Sequence, residues 1–174
     1  MDGRLESVLT DEGERLRIVE GASGYKHADE SYAITLMRRM MYRIAEKVCE
    51  KQNCLAIVNG ESVGQVASQT LESMQVINET VKLPVIRPVV AMDKLEIIAL
   101  SEKIDTYDIS IQPFEDCCTI FTPKNPVTHP TSKKAQRYES RFDFESLINE
   151  AVEKIEVRDV YPNQSFDQED QDLF

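Results

Sequence analysis

CLAIVNGESVGQVASQT, residues Cys54 to Thr70, decides the fold. The run Leu55-Ala56-Ile57-Val58 is short and apolar, as a buried strand is. Asn59-Gly60 then breaks it with a turn signal. Small and polar residues follow, including Ser62, Gly64, Gln69 and Thr70, and a helix is expected to begin among them and run through Leu71, Met74 and Ile77. A strand, a glycine-bearing loop and a helix start place backbone N–H groups at the carboxyl end of a sheet. In open α/β folds nucleotides bind there. The same junction is also the ordinary βα turn, in which glycines serve geometry alone.

The alternation continues on either side. Residues 29–52 predict a helix, because Ala33, Leu36, Met37, Met40, Met41, Ile44, Ala45 and Val48 recur at i+3 and i+4. Asp29 or Ser31 is placed to cap it. Arg38, Arg39 and Arg43 fall between the apolar positions, where a solvated face is the ordinary reading. Val85 to Val90 reads as the next strand, with Pro88 limiting or bulging its pairing. Met92 to Ile104 reads as an amphipathic helix with Asp93 at its start. A structural role is the expectation for both Arg87 and Asp93.

Residues 105–130 change character. Pro113, Pro123, Pro126 and Pro130 prevent a long helix, so a shaped loop is expected. Asp116-Cys117-Cys118 lies at its centre. An accessible thiolate there is a nucleophile and an acceptor of sulfane sulfur; a buried pair is inert. Residues 131–156 read as one long helix, capped by Thr131 or Ser132, with a stripe of Phe142, Phe144, Leu147, Ile148, Ala151, Val152 and Ile155. Its first turns carry Lys133, Lys134, Arg137 and Arg141, either a solvated basic face or a phosphate contact. The whole pattern predicts an α/β fold, a mostly parallel sheet with helices on both faces.

Bulk properties narrow the class. The 174 residues suit one domain, and 41% hydrophobic with 29% charged residues is a soluble, globular composition. No apolar run approaches a membrane span and no signal segment opens the chain, so no membrane and a cytoplasmic setting are expected. The net charge of −11 opposes a nucleic-acid partner, but it gathers at the ends. Residues 1–30 carry eight acids against four bases, and 158–174 carry five against one. Residues 119–141 hold five bases, Lys124, Lys133, Lys134, Arg137 and Arg141, against Glu139 alone. Cys49, Cys54, Cys117 and Cys118 lack zinc-site spacing, and His27 and His129 fit no ligand pattern, so no metal site is expected.

NGESVGQVASQT, with MRRMMYRIAEK before it and RPVVAMDKLEII and EDCCTIFTPKNPVTHP after it, resembles the PP-loop domain of bacterial tRNA 4-thiouridine sulfurtransferases. These blocks run from about Ser31 to Ile155, most of the chain. The resemblance implies a Rossmann-like PP-loop domain. It also implies ATP-dependent transfer of persulfide sulfur to a tRNA uridine, and sulfur donation to the thiazole of thiamine. It places Arg38, Gly60 and Gln69 at the ATP, with magnesium expected alongside. Guanidinium suits a phosphate or a ring edge, a glycine admits close approach, and an amide offers donor and acceptor together. It makes Cys117 the persulfide carrier, with Cys118 a bystander or a second, resolving thiol. Lys124, Lys133, Lys134, Arg137 and Arg141 become candidate tRNA contacts. No rhodanese-like segment is present, so a separate cysteine desulfurase is implied as sulfur donor.

The family's SGGxDS pyrophosphate loop, and its ferredoxin-like and THUMP regions, do not occur in these 174 residues. The expected organisation is therefore a leader over 1–28, the C-terminal portion of a PP-loop domain over 29–157, incomplete at its N-terminal side, and an acidic disordered tail over 158–174. In the leader, Leu5, Val8 and Leu9 suit a helical turn, and Leu16, Ile18 and Val19 a short strand. The rival expectation is a non-catalytic fragment or partner subunit, carrying sulfur or binding tRNA only with a missing N-terminal half or as a homodimer. A 2-thiouridylase-type PP-loop enzyme fits the EDCCTIFTPKNPVTHP run less well.

Overall fold

The computed structural model describes residues 5–9, 30–113, 123 and 125–160, with side chains for those between 30 and 155. In chain order the elements are β1 (Leu5–Leu9), α1 (Ala33–Gln52, entered by a 3-10 turn at Glu30–Tyr32), β2 (Ile57–Val58) and α2 (Leu71–Asn78). Then come β3 (Val85–Ile86), α3 (Lys94–Lys103), the single turn α4 (Tyr107–Ser110), α5 (Ser132–Glu139), α6 (Phe144–Glu153) and β4 (Glu156–Val160).

Helix α1 is the hub, because all three hydrophobic clusters among the described residues use it. Leu36, with Tyr32 just before the helix, packs on Val76 of α2 and Ala135 of α5. Met40 packs on Ile148 and Val152 of α6, with Phe142, Phe144 and Leu147 around them. Tyr42 packs on Ile77 and Val81, against the inner faces of Ile57 and Val85. Each fully buried Leu, Ile or Met contributes about 1.5–3 kcal/mol, so α1 anchors the fold on three sides. The apolar stripe read from the sequence was only partly the buried face. Met41 is 48% exposed, while Thr35 and Arg39 are buried.

β2 and β3 pair in parallel, Ile57 with Val85 and Val58 with Ile86. With the helices around them this is the expected α/β arrangement. The strands are shorter than the apolar runs suggested. At the start of the first, Asn53 takes a left-handed conformation that ends α1. At the second, the chain turns immediately after Ile86 around Pro88, with the Val90 N–H bonded to the Arg87 carbonyl at 3.2 Å. Asp93 caps α3 as expected, in a capping box with Glu96.

Three local expectations are corrected. Leu5–Leu9 is a strand, not a helical turn, paired antiparallel with β4. Five residues show no period that separates the two forms, and the deciding partner lies at the far end of the chain. The helix expected over 131–156 is two. Asp143 accepts from the Ser146 N–H at 3.2 Å and the Ser146 hydroxyl at 2.7 Å, and this cap starts α6 afresh. Residues 156–160 form a strand where helix and then tail were expected. The Leu16–Val19 strand and the tail beyond 160 lie outside the described residues.

Candidate functional site

The loop after β2 carries a buried carboxylate. Glu61 is 3% exposed and is held from three elements. Arg38 of α1 donates to one carboxylate oxygen. The other accepts from Tyr42 at 2.8 Å, from Arg87 Nε at 2.9 Å and from Asn59 Nδ2 at 3.0 Å. Arg87 also reaches Asn78 Oδ1 and the Tyr42 hydroxyl, both at 3.0 Å. Burial alone would raise the Glu61 pKa, but the bonds from Arg87, Arg38 and Tyr42 outweigh it and hold the carboxyl below the usual range. Burial, then Glu61, push the Tyr42 hydroxyl up, so it stays a donor. Arg87 is structural, as expected: it ties the end of β3 to this loop.

Arg38, Gly60 and Gln69 are brought to this loop. Arg38 is 23% exposed and bonded to the residue that follows Gly60. The 3-10 turn Ala67–Gln69 packs against α1. Its geometry is set by Gly64, at φ +82, whose N–H donates to the Gln69 carbonyl at 2.8 Å. Arg38 Nε and Gln69 Oε1 are buried and have no hydrogen-bond partner among the described residues. Native interiors rarely leave such atoms unsatisfied. Gly60 faces open space, with nothing within 4 Å of where a Cβ would sit.

The two glycines therefore separate by test. Gly64→Ala is expected to cost about 1–3 kcal/mol, from backbone strain alone. Gly60→Ala is expected to change stability by less than about 0.5 kcal/mol. Urea melts of both variants check this, and equal losses would contradict it.

A second carboxylate, Glu139 at the end of α5, binds two arginines side by side. Arg39 donates to it through Nε at 2.8 Å and Nη2 at 3.0 Å. Arg43 donates at 2.6 and 3.0 Å. Arg39 also reaches the Val76 carbonyl and, at 2.6 Å, Glu79. Glu79 in turn accepts from Ser132 at 2.6 Å. An open hollow of about 560 Å³ lies here, between Arg39, Arg43, Glu79, Gln136, Glu139 and Phe144. Its arginines are already matched by carboxylates, so it offers no net positive site for an anion. It does not include Arg38, Gly60 or Gln69.

Comparison with known proteins gives one answer. Residues 19–144 match the family described as thiamine biosynthesis protein (ThiI). The chain belongs to the ThiI family. Two members, each described as a probable tRNA sulfurtransferase, come from Streptococcus equi subsp. equi and subsp. zooepidemicus. Both are 59% identical over 138 residues, 79% of this chain and 34% of theirs. The chain thus spans about a third of the length of these ThiI-family relatives. A solved structure described as a 4-thiouridine synthetase–RNA complex with bound ATP superposes with a TM-score of 0.80 at 35% identity. The match covers 91% of this chain and 40% of that one. The fold is therefore the Rossmann-like α/β fold that the resemblance implied.

The other site residues distribute unevenly over this ThiI-family fold. Lys133, Lys134 and Arg137 are exposed on α5, whose opposite side buries Ala135 and Glu139. Arg141 follows that helix and lies over the Tyr138 ring at 5.2 Å. Cys117, Cys118 and Lys124 lie outside the described residues. The solvated face expected for the arginines of α1 is corrected: Arg39 is 2% exposed, and Arg38 and Arg43 are half-buried in ion pairs. Glu61, Glu139 and Tyr42 were missed. Their only sequence trace is three arginines within six residues on a helix, which signals buried carboxylates only once the fold is known.

Proposed function

We propose that this chain is the part of a tRNA sulfurtransferase that holds ATP and carries the sulfur destined for a tRNA uridine. The observation that carries the reading is the pair of buried atoms, Arg38 Nε and Gln69 Oε1, that have no partner among the described residues, together with the open space at Gly60. An adenine nucleotide presents donors and acceptors of the right kind to both. The ATP and RNA of the 35% identical structure, as it is described, support the same reading. In this proposal Arg38, Gly60 and Gln69 hold the nucleotide, with magnesium on its phosphates. Adenylation converts the uridine oxygen into a leaving group that departs with AMP. Cys117, loaded as a persulfide by a cysteine desulfurase, supplies the sulfur, with Cys118 as a secondary thiol. The exposed Lys133, Lys134 and Arg137, with Lys124 and Arg141, meet the tRNA backbone. Donation of the same sulfur to the thiazole of thiamine belongs to the proposal too.

Residues 29–157 form the PP-loop portion in this scheme, working in the cytoplasm, where tRNA is. No described helix is long and apolar enough to cross a membrane.

A second reading has its own observation. Val58 and Ile86, the outer face of the β2–β3 pair, are 64% and 51% exposed, and no residue of α3 is buried. Apolar sheet faces of this kind are normally covered. This favours a chain that acts only with further polypeptide, a separate half or a second copy, which supplies the SGGxDS function. Turnover by the 174 residues alone is not expected.

Sulfur loading tests the proposal. Incubation with a cysteine desulfurase and cysteine should add one sulfur mass to the peptide holding Cys117, and Cys117→Ser should abolish it. Label that persists in Cys117→Ser would move the role to Cys118, and no label in the parent would remove sulfur carriage from the proposal.

A further inference from the structure

The end of α1 and the approach to β2 bring two other thiols together. Cys49 sits in the last turn of α1, half-buried, and Cys54 is exposed just past it. Asn53 between them takes φ 56, ψ 36, so the chain folds back over the helix end. The Asn53 and Cys54 N–H groups both donate to the Cys49 carbonyl, the second at 2.8 Å. A direct backbone bond of this kind keeps two Cα atoms within about 7 Å, the reach of a disulfide. The Cys49 Sγ lies 3.8 Å from the Ala56 carbonyl, on the segment that Cys54 opens. Burial, and next the neighbouring Cys54, push the Cys49 thiol up, which fits a shielded partner rather than the first point of attack.

We propose that Cys49 and Cys54 form a thiol–disulfide exchange site, whose substrates are small-molecule disulfides of the oxidised-glutathione type. The exposed Cys54 thiolate attacks one sulfur of the small disulfide. A Cys54–S–S–R bond forms, the R–S–S–R bond breaks and one RS⁻ leaves. Cys49, giving up its proton to solvent, then attacks Cys54 Sγ and releases the second RS⁻. Two electrons have moved from the protein dithiol to the small disulfide, and atoms balance. The product bond ties the last turn of α1 to the segment that leads into β2, five residues before Asn59. The site is separate from Cys117 in sequence and shares no residue with Arg38, Gly60 or Gln69.

Trypsin provides the test, because Lys51 lies between the two cysteines. The full chain is titrated with oxidised glutathione at neutral pH, blocked with an alkylating agent, digested and weighed. The expected product is the peptide holding Cys49 joined to the peptide holding Cys54, with the loss of two hydrogens and no retained glutathione. In Cys49→Ser, Cys54 should instead keep its glutathione adduct at least about tenfold longer than in the parent, since the intramolecular resolving thiol is gone. A parent that carries stable glutathione on Cys54, that links Cys54 to Cys117 or Cys118, or that leaves both thiols free under conditions that oxidise Cys117 or Cys118, overturns the proposal. Because Cys54 is exposed, Cys54→Ser should fold normally. It should also leave Cys49 unmodified, whereas a modified Cys49 in that variant would count against Cys54 as the entry point.

Discussion

Glu139→Ala is expected to lower the stability of the chain by about 3–5 kcal/mol, the largest loss of any single polar substitution in the described residues. The reason is the charge it leaves behind. Arg39 has a side chain only 2% exposed and donates two of its hydrogen bonds to Glu139. Arg43, 18% exposed, loses both of its own. Glu79 still neutralises Arg39 in part, but from the far side of the guanidinium. Urea unfolding followed by circular dichroism measures the loss. Glu79→Ala, whose partner is the same arginine but whose carboxylate is 30% exposed, should cost much less. If the cause is a stranded charge, pairing Glu139→Leu with Arg39→Met should recover most of the loss. A double variant as unstable as Glu139→Ala would instead point to lost packing.

Glu61→Gln comes next, at about 2 kcal/mol, because the amide keeps the shape but strands Arg38 and Arg87 beside each other without a counter-charge. The same residues set the acid limit of the fold. Glu61 and Glu139 both have carboxyls held below the usual range: burial opposes it, but the arginine hydrogen bonds prevail. A carboxyl whose pKa is lower folded than unfolded stabilises the fold at pH above its unfolded value, about 4.3, and loses that contribution as pH falls through the folded value. Unfolding is therefore expected to set in below about pH 4. Glu61→Gln should flatten the acid limb of a stability–pH profile while lowering the plateau at neutral pH. An unchanged acid limb would show that other carboxylates govern it.

What could be read from the sequence was what local chemistry decides. The strand, turn and helix start around Asn59-Gly60 follow from adjacent residues, as does the Asp93–Glu96 capping box. So does the helix around Leu36 and Met40, although its buried face is turned toward Arg39. What stayed hidden depends on partners far along the chain. Arg38 meets Glu61 across 23 residues, Arg39 meets Glu139 across 100, and Leu5 pairs with Val160. No periodicity encodes such pairs. An arginine on a helix reads as solvated until a carboxylate is placed against it, and Leu5, Val8 and Leu9 read as a helical turn until a second strand lies beside them. Arg38, Gly60 and Gln69 became candidates only through the family motif; the structure adds that Arg38 and Gln69 each bury one atom with no partner among the described residues.

Calorimetric titration of the chain with ATP and magnesium tests the proposal that Arg38, Gly60 and Gln69 form part of an ATP site. Saturable binding is expected, weakened at least about tenfold by Gln69→Ala, which removes a side chain whose buried acceptor has no partner among the described residues. Heat that is absent from a folded sample, or binding that Gln69→Ala and Arg38→Ala both leave unchanged, would contradict it.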